Sequence, residues 1–283
     1  GSSVYLKAGE ELTLENLLYA LLLESANDAA AAVAYEIAGG IDSFAALMNE
    51  TAEKLGLLDT HFTNPHGLDN QEHYTTAEEL AIIAAVAMQN DKFRSVVSTH
   101  KKTIPLNETE GVRLLINHNK MLKNYEDSIG IKTGYTKKSG RCLVSAAKRD
   151  GVELICVTLN APDDWNDHKS MLEAGFRDYQ VRELVAAGEV LGYRHIVGGD
   201  GTRVPLVAEK SFSYALAAGE EPEIVLSPRL FSYAPVTGGA PEGCAYLVLG
   251  EKVIGEVPLV WGTSLEETKE KEKSFLERLF GGI

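Results

Sequence analysis

Two apolar runs, Arg141 to Arg149 and Val152 to Asn160, meet at Asp150-Gly151. That junction constrains the chain more than any other stretch. Asp and Gly both accept the positive φ of a type I′ turn, whose twist matches that of paired strands. The dipeptide therefore predicts a β-hairpin in which Arg149 faces Val152. In that register Cys142 and Cys156 fall on opposite faces, because side chains alternate along a strand. No disulfide is expected between them. With Cys244 the chain holds 3 cysteines, an odd number that does not make a disulfide scaffold.

The residues before the hairpin read differently. Thr13 is a predicted N-cap for a helix over Leu14 to Leu23. A second helix is expected from about Asp28 to Ala38, stopped by Gly39-Gly40. A third opens at Asp42 or Ser43 and ends near Gly56. Thr76-Ala77-Glu78-Glu79 has the form of a capping box and opens a fourth, to about Gln89. From Val96 short β-like runs take over: Val96 to Ile104, Val112 to Asn117 and Ser128 to Tyr135. Asp164 to Tyr179 is helical again.

Beyond about Glu183, Gly and Pro punctuate short apolar runs. These are Glu189 to His195, Arg203 to Ala208, Phe212 to Leu216, Glu223 to Leu226, Ala245 to Leu249 and Lys252 to Pro258. That spacing predicts a small all-β domain. The boundary is placed near Gln180, giving domains over 1–180 and 181–263 and a helical tail over 264–283. In the tail Phe275, Leu276, Leu279 and Phe280 share one face, which could lie on a membrane surface or pack on the body.

Charge narrows the partners. The chain has 41 acidic and 27 basic residues, a net charge of −14. A polyanion-binding domain needs a basic face. No dense Lys/Arg cluster exists, so nucleic acid is not an expected partner. The longest apolar runs, Leu17 to Leu23 and Leu80 to Met88, fall well short of the ~20 residues of a bilayer-spanning helix. The opening Gly-Ser-Ser-Val-Tyr-Leu has no signal-peptide pattern, as a mature or truncated chain would also lack one.

Three short motifs could carry chemistry. Ser25-Ala26-Asn27 lies at the junction of two predicted helices, where the ordinary reading has Asn27 capping the helix from Asp28. Lys132-Thr133-Gly134 sits inside an apolar strand. Lysine there can simply face solvent. The triplet as a whole also offers a positive charge, a hydroxyl donor and a residue without Cβ that lets another backbone lie close. An extended substrate ending in a carboxylate needs those three things. The third motif is the loop Asn64-Pro65-His66-Gly67-Leu68-Asp69, with His61 and His73 nearby. Its spacing matches no metal-ligand pattern, so no metal and no cofactor are expected. Asp163, Asp164, Asp167 and His168 read as a solvated loop and helix start.

Taken together and in order, these blocks resemble a known family. Ser25-Ala26-Asn27-Asp28-Ala29-Ala30, Phe62-Thr63-Asn64-Pro65-His66-Gly67-Leu68-Asp69, Thr75-Thr76-Ala77-Glu78-Glu79-Leu80 and Ile131-Lys132-Thr133-Gly134-Tyr135-Thr136 are similar to those of serine D-alanyl-D-alanine carboxypeptidases, the low-molecular-mass penicillin-binding proteins. Gly188-Glu189-Val190 and Val257-Pro258-Leu259-Val260 resemble that family's second domain. The resemblance implies an α+β fold: a β-lactamase/transpeptidase-like helical and sheet domain followed by a small all-β domain. It implies a serine carboxypeptidase that removes the terminal D-alanine of peptidoglycan stem peptides through an acyl-enzyme and is acylated by β-lactams. Its expected location is extracytoplasmic, on the wall side of the bacterial plasma membrane.

The same resemblance implies roles for single residues. Ser25 would relay a proton and Asn27 would orient the substrate amide. Lys132 would supply positive potential, Thr133 would hydrogen-bond the substrate carboxylate, and the strand through Gly134 would line the acyl group. The family's nucleophile belongs to a Ser-x-x-Lys motif, expected to precede Gly1. Ser98-Thr99-His100-Lys101 and Ser145-Ala146-Ala147-Lys148 fit the letters, yet on predicted strands residues three apart point to opposite faces. Thr51-Ala52-Glu53-Lys54 has helical spacing but reads as surface. A non-catalytic peptide-binding relative is the alternative, and a β-lactamase is a further one that the appended β-rich domain argues against.

Overall fold

The computed structural model describes residues 1–106, 111–199, 203–227 and 231–268. Its contacts divide the chain into two compact units, Gly1–Asp178 and Tyr179–Ile283.

The first unit opens with α1 (Leu14–Glu24), α2 (Asn27–Ala38) and α3 (Ile41–Lys54). Thr13 caps α1 by accepting from the Asn16 N–H. Gly39, at φ 76°, takes the left-handed conformation that ends α2. The alanine content of α2 lets it pack closely: Ala29, Ala30 and Ala34 are fully buried. Next come α4 (Ala77–Ala87), α5 (Asp91–Val97), β1 (Lys101–Pro105), β2 (Val112–Ile116), α6 (Met121–Asn124), β3 (Ser128–Thr136), β4 (Gly140–Arg149), β5 (Val152–Thr158) and α7 (Asp164–Asp178). Strands β3, β4 and β5 form one antiparallel sheet, and β1 and β2 a separate pair.

The Asp-Gly hairpin is present in the expected register. Arg149 pairs with Val152, and Asp150 and Gly151 both have positive φ. Cys142 and Cys156 are free thiols, as is Cys244. Expectations fail at α5 and at the start of α4. Val96 and Val97 end α5 instead of opening a strand. Asn90 caps that helix through the Phe93 N–H, and both valines are buried in the core, so packing overrides their β-preference. The capping box at Thr76 is only half formed. Thr76 accepts from the Glu79 N–H, but the Glu79 carboxylate turns to the Asp59 N–H and the Thr60 hydroxyl.

Close approach explains one glycine. A Cβ on Gly130 would lie 2.8 Å from Cγ2 of Val97. The missing side chain lets α5 lie directly against β3, the strand that carries Lys132.

The second unit comprises β6 (Tyr179–Val185), β7 (Val190–Val197), β8 (Arg203–Ala208), β9 (Phe212–Ala217), β10 (Glu223–Leu226), β11 (Phe231–Tyr233), β12 (Pro241–Leu249) and β13 (Lys252–Trp261). Six strands run in the order β10-β12-β13-β8-β7-β11, and β6 pairs with β9. Leu206, Leu247 and Leu259 anchor its core. Strands β6 and β11 lack clear alternation and are absent from the sequence reading. The tail does not open as a helix at Ser264: Leu265 forms a β-bridge with Val236. Phe275, Leu276, Leu279 and Phe280 lie outside the described residues.

Candidate active site

A cleft of the first unit gathers the predicted motifs around the edge strand β3. Ser25 ends α1 in the left-handed conformation, φ 58° and ψ 36°, unusual for a residue with a Cβ. The Lys132 ammonium donates to Ser25 Oγ at 2.8 Å and to its neighbour's carbonyl, Thr133 O, at 2.8 Å. The serine and the lysine are 107 positions apart in sequence, so the fold alone brings them together. Burial of the Lys132 side chain lowers its pKa to about 8.

Asn27 does not act as a cap. It is the first residue of α2, and the preceding Ala26 makes no side-chain cap bond. The work of holding that turn falls to Asp28. Its carboxylate accepts from the Ser3 hydroxyl and from the Val4, Leu6 and Ala29 N–H groups, which together hold its pKa down against the cost of burial. The Asn27 side chain is left to line a cavity of about 370 Å³ with Ser25, Lys132, Thr133 and Gly134. All five residues singled out from sequence thus meet at one cavity.

The third motif supplies the opposite wall. Asn64, buried, donates to Leu68 O and accepts from the His66 and Gly67 N–H groups, so the loop closes on its own side chain. His66, His73 and Phe62 line the same cavity. Burial lowers the pKa of His66 and of His73. Thr136, at the end of β3, donates to Asp69 at 2.8 Å and ties the loop to the strand.

The cleft continues past the edge of β3 into a second cavity of about 330 Å³, lined by Ser25, Thr133, Gly134 and Tyr135 together with His118, Lys120, Arg141, Asp164 and Trp165. Glu24 pairs with His118 at 3.1 Å and accepts from the Ile116 N–H, which fixes the chain just before Ser25. The solvated reading of Asp164 and His168 is wrong. Both are buried. Asp164 accepts from Arg141 at 2.7 Å. His168 sits between the hydroxyls of Ser145 (2.6 Å) and Thr158 (2.9 Å), and burial lowers its pKa to about 4. The four-residue spacing of Asp164 and His168 puts them on one helix face, a signal the sequence did carry.

No Ser-x-x-Lys pair reaches this cleft among the described residues. Ser98 caps α5 and donates to Ser95 O, so its segment is helix end and loop rather than strand. Ser145 is fully buried against His168 while Lys148 is exposed on the same strand. Thr51 bonds back to Leu47 O, and Lys54 pairs with Glu50 on the outside of α3.

Comparison with known proteins gives the family. The sequence profile of the D-alanyl-D-alanine carboxypeptidases matches residues 1–163, and that of the penicillin-binding protein 5 C-terminal domain matches residues 179–267. The D-alanyl-D-alanine carboxypeptidase DacC of Escherichia coli is 30% identical over 275 residues, covering 94% of this chain and 68% of its own. DacF of Bacillus subtilis is 29% identical over 289 residues, covering 99% and 73%. Penicillin-binding protein 5 from Haemophilus influenzae has a similar structure, with a TM-score of 0.70 at 25% identity over 94% of this chain and 78% of that one. Profile matches over both units, together with the similarity to DacC over 94% of this chain, establish that the chain belongs to the D-alanyl-D-alanine carboxypeptidase family.

Proposed function

We propose that the protein is a serine D-Ala-D-Ala carboxypeptidase acting on peptidoglycan stem peptides, and that Ser25, Asn27, Lys132, Thr133 and Gly134 are its share of the active site. The observation that carries this reading is the Lys132–Ser25 hydrogen bond inside a cleft also lined by Asn27 and Thr133.

The chemistry follows from the groups. A serine oxygen attacks the penultimate D-alanine carbonyl, the C–N bond to the terminal D-alanine breaks, and the leaving amine takes up a proton. Water then releases the acyl group. In our reading the attacking serine comes from a Ser-x-x-Lys motif outside these 283 residues. Lys132 places positive charge where the substrate carboxylate ends, and its bond to Ser25 connects that charge to a hydroxyl able to pass the proton on. Thr133 donates to the carboxylate. Gly134, exposed on the edge strand, leaves room for the substrate backbone to lie alongside. Asn27 holds the substrate amide. A β-lactam would enter the same cleft and acylate the same serine.

The site of action we propose is the wall side of the plasma membrane, where such peptides are found. No single helix among the described residues is long and apolar enough to cross a membrane. Peripheral contact through the tail is tested by liposome partition with and without residues 264–283; equal partition removes it.

The reading itself is tested by D-alanine release from a peptide ending in D-Ala-D-Ala, using the complete protein. Release that falls by about 10²–10³-fold in Lys132→Ala supports it. No release by the complete protein refutes it.

A further inference from the structure

We infer that Glu24 is a positioning residue, which holds Ser25 Oγ within hydrogen-bond reach of the Lys132 ammonium for the proton transfer of the reaction. The inference rests on the carboxypeptidase reading and extends it to a side chain outside the three motifs.

Ser25 needs such a hold. Its left-handed backbone, φ 58°, is costly for a residue with a Cβ and persists only where neighbours enforce it. Hydrogen bonds join the last residues of α1 to the chain leaving β2. The Ile116 N–H donates to Glu24 Oε1 at 2.6 Å, and the His118 N–H donates to Leu23 O at 3.2 Å. The other carboxylate oxygen, Glu24 Oε2, is 3.1 Å from His118 Nε2. An ionised carboxylate only accepts, so the proton of that bond belongs to His118 Nε2. Both oxygens of Glu24 are therefore spent on holding the residue next to Ser25.

The same brace reaches Lys132. Asn117 stands between Ile116 and His118. Its side-chain amide donates to Val97 O at 3.2 Å and to Thr99 O at 3.0 Å, and its N–H donates to His100 O at 2.9 Å. These bonds tie the segment to the end of α5. Val97 in turn lies against Gly130 of β3, the strand that carries Lys132. Both partners of the Lys132–Ser25 bond are thus referred to one end of α5, Lys132 through Gly130 and Ser25 through Glu24 and Asn117. Distance matters here, because a misplacement of ~1 Å can cost about a hundredfold in rate. Stability alone accounts poorly for the Glu24–His118 bond. The two side chains are 25% and 47% exposed, and pairs in contact with water add little to folding.

The test is a double-mutant cycle in the complete protein, read as kcat/KM for D-alanine release from a peptide ending in D-Ala-D-Ala. Glu24→Ala should lower kcat/KM by about ten- to thirtyfold when Ser25 is present. In a Ser25→Ala background no hydroxyl is left to position, and the same change should cost less than about twofold more. A merely structural role would cost the same in both backgrounds. Glu24→Gln keeps an acceptor for the Ile116 N–H and should stay within about threefold of wild type. Should Glu24→Ala fail to fold, His118→Ala carries the same cycle, with a loss of about threefold that again vanishes beside Ser25→Ala. Equal losses in the two backgrounds, or full activity in Glu24→Ala, overturn the inference while the carboxypeptidase reading stands. No release by the complete wild-type protein refutes both.

Discussion

Each unit holds a polar cluster, part-buried in the first and buried in the second, and the two differ in what they face. In the first unit Ser25, Lys132, Arg141 and Asp164 line cavities open to solvent. In the second, Arg194 and Glu242 are both about 95% buried, 3.6 Å apart between strands, and Ser232 donates to Glu242 at 2.9 Å. A bulge in β12 between Pro241 and Cys244 carries Glu242 inward. Neither Arg194 nor Glu242 lines either cavity of the cleft in the first unit. In the proposed reading the first cluster meets a ligand, while the second joins β7 to β12.

That contrast can be broken experimentally, and the largest effect is expected in the second unit. Glu242→Ala leaves Arg194 buried without its carboxylate. It should lower the unfolding free energy of that unit by about 3–5 kcal/mol in denaturant titration, with D-alanine release at 25 °C unchanged. Lost activity with intact stability would mean the cluster has a role in the reaction.

Lys132→Ala should do the reverse. D-alanine release should fall by about 10²–10³-fold, with the unfolding midpoint hardly moved. In wild type, KM for the peptide ending in D-Ala-D-Ala should rise as pH passes about 8, where Lys132 loses its charge. A KM flat from pH 7 to 9 would detach Lys132 from carboxylate binding.

His168 tests the support behind the cleft. Its pKa is about 4 in the folded protein against 6.5 when free. Between those values only the unfolded chain takes up the proton, so this stability is present above pH 6.5 and lost as pH falls towards 4. The loss should be about 3 kcal/mol, and His168→Gln should flatten that part of the stability curve. An equally steep curve in the variant would assign the slope to other groups.

The smallest stability effect is expected at Ser25. Ser25→Gly relieves the left-handed strain and should leave the unfolding free energy unchanged or raise it by up to about 1 kcal/mol. D-alanine release should still drop about ten- to hundredfold. Marked destabilisation would show that the hydroxyl is needed for folding as well as for the reaction.

The sequence revealed the site better than its supports. Lys132-Thr133-Gly134 and Ser25-Ala26-Asn27 were legible because each triplet combines chemistry with a place on an element. The Asp150-Gly151 hairpin was legible because turn chemistry is local. What escaped depends on contacts between distant residues. Asn27 reads as a cap until Asp28 is seen gathering Ser3, Val4 and Leu6. Val96 and Val97 read as strand until the core claims them for α5. Asp164 reads as part of a solvated helix start because nothing local shows that α7 lies against β4. Strand β11, only three residues long, leaves too short a pattern to detect.

The central claim is that this cleft serves a serine acyl-enzyme. Intact mass of the complete protein, taken before and after incubation with benzylpenicillin, tests it most directly. The account predicts a stable one-to-one adduct in wild type that forms far more slowly in Lys132→Ala. No adduct on the complete, folded protein would contradict it and leave a cleft that binds wall peptides without cutting them.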